Sequence, residues 1–241
     1  PGIFCLPGTF TGTNVVIAGN VAVASDAAAW MMGEVFVGSG STLALTNASI
    51  TGNAMTAGTE SVTGSLHLYS ATDRVTLTNV AITDNVYSGG SSAWRYGGVF
   101  SWTTPTFTST YSDYFNNTYT DFYGIATVGG ADGNVAVAAD YADVTAAAAY
   151  DWDLSLAAGS ALLDAGSPSI LDTDGSTSDI GAWGGPGAAD AGGGKVVHQG
   201  TRAAKNDHVL KAELIGAAGI LGRFEQTVAG AGPNLADRHF Q

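Results

Sequence analysis

Charged side chains are scarce in this chain: Asp, Glu, Lys and Arg make up 12% of its 241 residues, about half the ~25% usual in soluble domains. Positive charge is scarcest. Residues 1–194 contain only Arg74 and Arg95 as basic side chains, against 17 carboxylates. Nucleic-acid binding needs clustered Lys and Arg to neutralise phosphates, so that class is excluded for this stretch. An anionic membrane surface is disfavoured for the same reason. No apolar run approaches the ~18 residues of a membrane-spanning helix. A single cysteine, Cys5, leaves no intrachain disulfide framework and no cysteine-based zinc site; it is expected to be a small buried apolar residue.

What is present is apolar and small. Hydrophobic residues make up 45% of the chain and glycine 34 of its positions, which is not the composition of a disordered acidic tail. The charge is also unevenly placed. Residues 1–194 sum to −15, whereas residues 195–241 hold six of the eight basic side chains, three of the four His and only four acids, for +2. Residues 188–194 are small and read as a linker between the two parts. The opening Pro-Gly-Ile-Phe lacks an initiator Met and a signal peptide, as expected of an N-terminally truncated fragment or a processed product.

An internal repeat organises the larger part. Residues 43–53 align without gaps to residues 75–85, with six of eleven positions identical at an offset of 32. A weaker copy, residues 107–117, lies 32 further on and puts Tyr114 where Ile50 and Ile82 stand. Each copy alternates apolar with small polar residues, the period of a short strand with one buried face. Gly, Ser, Thr, Asn and Asp fill the intervals where turns are needed. No copy could bury its apolar face alone, so the copies must stack, and the absence of helical segments between them suggests parallel strands. Asn53, Asn85 and Asn117 recur at one corner, either as a stacked amide ladder or as ordinary turn residues. Residues 14–25 read as two short strands about a Gly-Asn turn. Residues 54–65 and 86–102 are expected to protrude as loops.

On these residues the chain resembles the right-handed parallel β-helix proteins of bacterial surfaces, which share the pectate-lyase-like architecture. Residues 6–12 (Leu-Pro-Gly-Thr-Phe-Thr-Gly) are similar to the phrase that leads into the first coils, and residues 138–168 to the closing phrase. The most specific match is residues 172–185, Asp172-Thr-Asp-Gly-Ser-Thr-Ser-Asp-Ile-Gly-Ala-Trp-Gly-Gly185, which resembles the family's terminator. The sequence departs at Ala139-Asp140-Tyr141, where the family has Asp-Pro-Leu-Phe, and in a repeat longer than a plain coil. The resemblance implies an all-β fold: a right-handed, single-stranded parallel β-helix (a solenoid) over residues 1–187, monomeric and extracellular or at the cell surface. The tail, residues 195–241, does not resemble it. Asn206 or Asp207 would cap a helix with Leu210, Leu214, Ala217, Ala218 and Leu221 on one face. Three glycines weaken that helix by about 1 kcal/mol each. The tail is therefore expected to be helical, a loosely ordered appendage, or foreign to the domain.

Candidate chemistry falls in three places. Asp172, Asp174 and Asp179 form an acidic loop that could hold calcium or lock the terminal turn through backbone amides; no other cofactor is expected. Trp94, Arg95, Tyr96 and Trp102, in an aromatic-rich window reaching Tyr123, could stack on sugar rings and supply a guanidinium contact, or else anchor a loop. Asp84 and Asp113 stand near matching corners, either as an acid pair or as solvated turn residues. Asn47 and Asn116 open glycosylation sequons. The reading expected from these features is a non-catalytic extracellular module, structural or adhesive, contacting a polysaccharide or cell-surface glycan. The alternative is a polysaccharide lyase or glycoside hydrolase on the same fold. That alternative needs carboxylates, or a carboxylate and Arg95, converging on a sugar bond.

Overall fold

The computed structural model describes residues 2–23, 33–57, 64–89, 96–128, 130–147 and 149–188, and the backbone of strands at 202–203, 209–216 and 219–227. Strands come in threes. The first rung is β1 (Ile3–Cys5), β2 (Thr9–Ala18) and β3 (Val21–Val23). The second is β4 (Val35–Val37), β5 (Thr42–Thr51) and β6 (Ala54–Ala57), and the third β7 (Leu66–Leu68), β8 (Arg74–Thr83) and β9 (Val86–Gly89). β10 (Val99–Ser101), β11 (Thr106–Thr110) and β12 (Asp113–Phe115) form the fourth, and β13 (Phe122–Tyr123) begins another.

Each strand pairs in parallel with the strand one rung away, giving three sheets. The first runs β1-β4-β7-β10-β13, the second β2-β5-β8-β11 with β12 also on β8, and the third β3-β6-β9. The protein is thus all-β, with stacked parallel strands of the kind compatible with a solenoid. The register carries the repeat found in the sequence. Leu43 pairs with Val75 and Ile50 with Ile82, and Phe107 and Tyr114 add the third copy. Residues 54–57 and 86–89, expected at the start of protruding loops, instead form the third strand of their rungs. The rest of those loops at 58–63 and 90–95 lies outside the described residues.

The interior is built by alternation. In β8, Val75 and Leu77 are buried between exposed Arg74 and Thr76. Leu43, Leu45, Ile50, Leu66, Leu68 and Ile82 are all 0–1% exposed and share one cluster with their neighbours. Burying each such side chain is worth about 1.5–3 kcal/mol, and no rung has a core without the next. Halfway along β2, β5 and β8 the chain kinks at Asn14, Asn47 and Asn79, with φ of 54°, 50° and 55°. Asparagine tolerates this left-handed conformation better than most residues. Ladder pairing skips these residues and resumes at Val15, Ala48 and Val80.

The amide ladder is formed at the next corner. Asn20 Nδ2 donates to Asn53 Oδ1, Asn53 Nδ2 to Asn85 Oδ1, and Asn85 Nδ2 to Asn117 Oδ1, each at 2.8 Å. Asn117 passes its amide on to Asp121 at 2.7 Å. Each acceptor oxygen also takes a backbone N–H from the rung before. The second amide proton goes to the carbonyls of Ile17, Ile50 and Ile82. Buried amides persist only when satisfied in this way.

Val135 adds one parallel bridge to Asp113 beyond β12, and the chain from there to residue 188 folds back over the outer face of the second sheet as a strap with little regular structure. β14 (Tyr141–Asp143) and β15 (Asp153–Leu156) pair antiparallel within it, and Ala149–Asp151 forms a short 3-10 turn. Ala139, Leu162 and Ile180 pack on Ala81, and Leu154 packs on Ala18. Polar contacts reach three rungs. Asn14 Nδ2 donates to Ala182 O, Ala182 N to Ser49 Oγ and Ser167 N to Asn79 Oδ1, at 2.7, 3.0 and 2.7 Å.

In the tail, β16 (Arg202–Ala203) pairs in parallel with β3, and β17 (Val209–Gly216) pairs antiparallel with β18 (Gly219–Thr227). The helix expected from Asn206 is therefore replaced by strands. Leu210, Ala212 and Leu214 alternate with Lys211 and Glu213, so the strand period competes with the helical one. Gly216, Gly219 and Gly222 weigh against the helix.

Candidate functional site: an aromatic face on the first sheet

The first sheet is made of strands two or three residues long whose flanking residues, among them Val35, Val37, Leu66, Leu68 and Val99, are turned to the core. Their central residue points the other way. The register places Phe4, Phe36, His67, Phe100 and Tyr123 in one row across five rungs. The rings touch along the whole row. Phe4 and Phe36 stack at 5.0 Å, His67 meets Phe36 and Phe100 edge-on at 5.1 Å each, and Phe100 stacks on Tyr123 at 5.4 Å. Such offset and edge contacts are the favoured ring geometries.

The middle of the row is buried and its ends are open. Phe36, His67 and Phe100 are 0–4% exposed, whereas Phe4 is 42% and Tyr123 36% exposed. A second row lies one residue past the strands. There Leu6, Tyr69 and Trp102 are 38–43% exposed, and Trp102 stands edge-on against Phe100 at 4.8 Å. Tyr96 closes the group, stacked on Tyr123 at 4.3 Å and on Phe100 at 5.4 Å. Burial lowers the His67 imidazole to about 4, so the face is uncharged at neutral pH. The open rings are thus contiguous, lying together on a buried ring layer rather than scattered singly over the surface.

Of the four residues that the sequence points to here, Tyr96 and Trp102 are brought together through Phe100. Trp94 and Arg95 lie outside the described residues. The sequence reading missed Phe4, Phe36, His67 and Tyr69 as parts of one face with the aromatic window that reaches Tyr123. The signal was their spacing: Phe4, Phe36, His67 and Phe100 follow one another at roughly the repeat length, through strands too short to announce themselves.

The other candidates sort differently. Asp172 accepts the amides of Asp179 and Gly185, Asp179 accepts Asp164 N at 2.8 Å, and Asp174 accepts Ser176 N and Oγ at 2.9 and 2.6 Å. These are the bonds that lock the terminal turn. Among the described residues, no group of three or more His, Cys, Asp or Glu is gathered to hold a metal ion.

Asp113 does not stack on Asp84. It pairs in register with Ala81, while Asp84 accepts Asn116 Nδ2 at 2.7 Å. Nor is Asp113 a solvated turn residue: it is 0% exposed, because Val135 pairs in parallel beside it and the chain then passes Val137 against its carboxylate. One carboxylate oxygen accepts Val137 N at 3.0 Å, and the other has no hydrogen-bond partner. Burial pushes this carboxyl up to about 7, with Asp121 and Asp84 adding to the effect. Glu34 is a second buried acid, 2% exposed, raised to about 7 by burial and accepting the Tyr87 hydroxyl proton.

A recess of about 280 Å3 at the far end of the stack is lined by Thr104, Pro105, Phe107, Ile125 and neighbours, without an acid or a base. Of the sequons, Asn47 is buried and Asn116 exposed.

Comparison with family models, with curated proteins and with solved structures returns no match to this chain.

Proposed function

We propose that this chain is a right-handed, single-stranded parallel β-helix of the pectate-lyase-like kind. In this reading it acts at a cell surface or outside the cell as a non-catalytic module, and its aromatic face contacts a neutral glycan. The hand follows from the preference of parallel crossover connections, which are right-handed in about 98% of cases. The observation that carries the binding reading is the open row of Tyr69 and Trp102 beside the buried row of Phe36, His67 and Phe100. Rings fixed from beneath present flat apolar faces at little entropic cost, as sugar faces require. Residues 1–194 at −15 would repel a polyanionic chain, so a neutral polymer fits better.

The hydrolase or lyase reading finds less support. Asp113 is closed off beneath the strap, and Asp172, Asp174 and Asp179 are engaged with the turn that they hold. A glycan array with the full chain tests the proposal. Neutral polysaccharides should bind, and Trp102→Ala and Tyr69→Ala should each weaken binding about tenfold, near 1.4 kcal/mol. Absence of any glycan signal, or a signal indifferent to both changes, defeats it.

A further inference from the structure

Before the kink, the strands of the second sheet turn every other residue outward. Their register brings these residues into a grid of four rungs by three columns. Thr9, Thr42, Arg74 and Thr106 form the first column, Thr11, Ala44, Thr76 and Thr108 the second, and Thr13, Thr46, Thr78 and Thr110 the third. Ten of these twelve are threonine and one is charged. All are exposed or partly exposed, whereas Leu43, Leu45, Val75 and Leu77 between them are buried in the core.

The grid is regular in both directions. Rungs stack about 4.8 Å apart, and alternate residues of one strand lie about 6.6 Å apart. A threonine in a strand is stiff at χ1, so its hydroxyl and methyl repeat with the backbone. Along the third column, Thr78 Oγ1 and Thr110 Oγ1 lie 3.4 Å apart. The strap leaves the grid open: its bonds go to Asn14, Asn47 and Asn79 at the kink and to Ser49 beyond it. Such a surface suits few partners. Protein hot spots use Trp, Tyr and Arg, and threonine is under-represented in them. Sugar faces stack on rings, which this chain gathers on the first sheet instead. An ordinary solvated sheet face mixes charges of both signs. Hydroxyls that donate and accept, with methyls between them and almost no charge, at two fixed repeats, match a partner that is itself a lattice of hydrogen-bonding oxygens. Crystalline water is such a lattice, and its oxygens repeat on the same scale.

We propose that the threonine grid of the second sheet is an ice-binding surface. Its hydroxyls join the outermost oxygen layer of the crystal, and its methyls seat between those oxygens. The inference is independent of the glycan reading. The test follows a single ice crystal held just below its melting point in a solution of the full chain. The wild type should stop its growth, shape it into facets and open a gap between melting and freezing. Thr76→Lys, at an exposed position in the middle of the grid, should close most of that gap. Its thermal melting and glycan binding should match the wild type, so that the two readings fail separately. Ala44→Thr, which completes the second column, should widen the gap, a gain that a misfolded variant could not give. Rounded crystals that grow freely in the wild type, a gap indifferent to Thr76→Lys, or one that Ala44→Thr does not widen would overturn the proposal.

Discussion

The outer faces of the first and second sheets share the same rungs but carry opposite solutions. On the second sheet the outward row is Val16, Ser49, Ala81 and Asp113, mostly small, and the strap closes over it. On the first sheet the equivalent row is Phe4, Phe36, His67, Phe100 and Tyr123, all rings, with Tyr69 and Trp102 left open beside it. The division shows within a single strand. Before Asn79, β8 alternates buried and exposed residues; after it, every residue is buried. Small residues let a backbone approach closely enough to exchange hydrogen bonds, as Ala182 N does with Ser49 Oγ. Rings leave no such approach, and they form a self-supporting layer whose outer members remain available. The covered face is therefore where stability is stored, and the open face is where a ligand would be met.

The largest effect should come from the acid trapped on the covered face. A carboxyl raised to about 7 in the fold leaves stability unaffected below its unfolded value, near 4. Stability is then lost as pH rises through 7, because the unfolded chain ionises first. Asp113→Asn keeps an oxygen for the Val137 amide and removes that loss. The variant should be more stable than the wild type by about 4 kcal/mol at pH 8 and equal to it near pH 3.5. Urea denaturation at the two pH values measures the difference; an equal gain at both would show that ionisation of Asp113 is not the cause. Glu34, also raised to about 7, adds a decline of the same sign in both proteins.

Next in size is the fit beneath the strap. Ala81 is 0% exposed and lies against Ala139, Leu162 and Ile180. Ala81→Leu should cost about 1–3 kcal/mol by overpacking, with faster amide exchange concentrated in the strap rather than in β8. A thermal melt with no loss would mean that the strap is not closely seated.

How far the sequence anticipated this contrast depends on strand length and on distance along the chain. The long strands β5 and β8 were legible, because ten residues carry enough alternation to show a 32-residue repeat, and the asparagines two residues past them, Asn53 and Asn85, belong to the ladder. The strands of the first sheet were not, since three residues hold no measurable period. The aromatic row was therefore seen only at its far end, in the window from Trp94 to Tyr123. Burial of Asp113 depends on Val135 pairing beside it and Val137 donating to it, contacts that no local pattern encodes. Asp172 and Asp179 hold the turn of residues 172–185 through backbone amides; that the strap spans three rungs rests on bonds to Asn14, Ser49 and Asn79. In the tail, Leu210 and Leu214 satisfy helix and strand periods alike, so glycine placement was the better guide.

The smallest stability effects belong to the open face, and they separate its two layers. His67 stands between Phe36 and Phe100 and is lowered to about 4 by burial. Its contribution is complete above pH 6.5 and is lost as pH falls through 4, the reverse of Asp113. His67→Phe, which continues the row in kind, should change stability at pH 8 by no more than about 1 kcal/mol while removing the acid-side loss. Trp102→Ala should go further in function and less far in stability. A ring that is 41% exposed carries little of the fold, so its removal should lower stability by about 0.5 kcal/mol at most while reducing glycan binding about tenfold. Chemical denaturation beside glycan titration of the same protein checks this. A Trp102→Ala variant that loses stability and binding together would place the indole in the support layer with Phe100, and the open face would then begin at Tyr69.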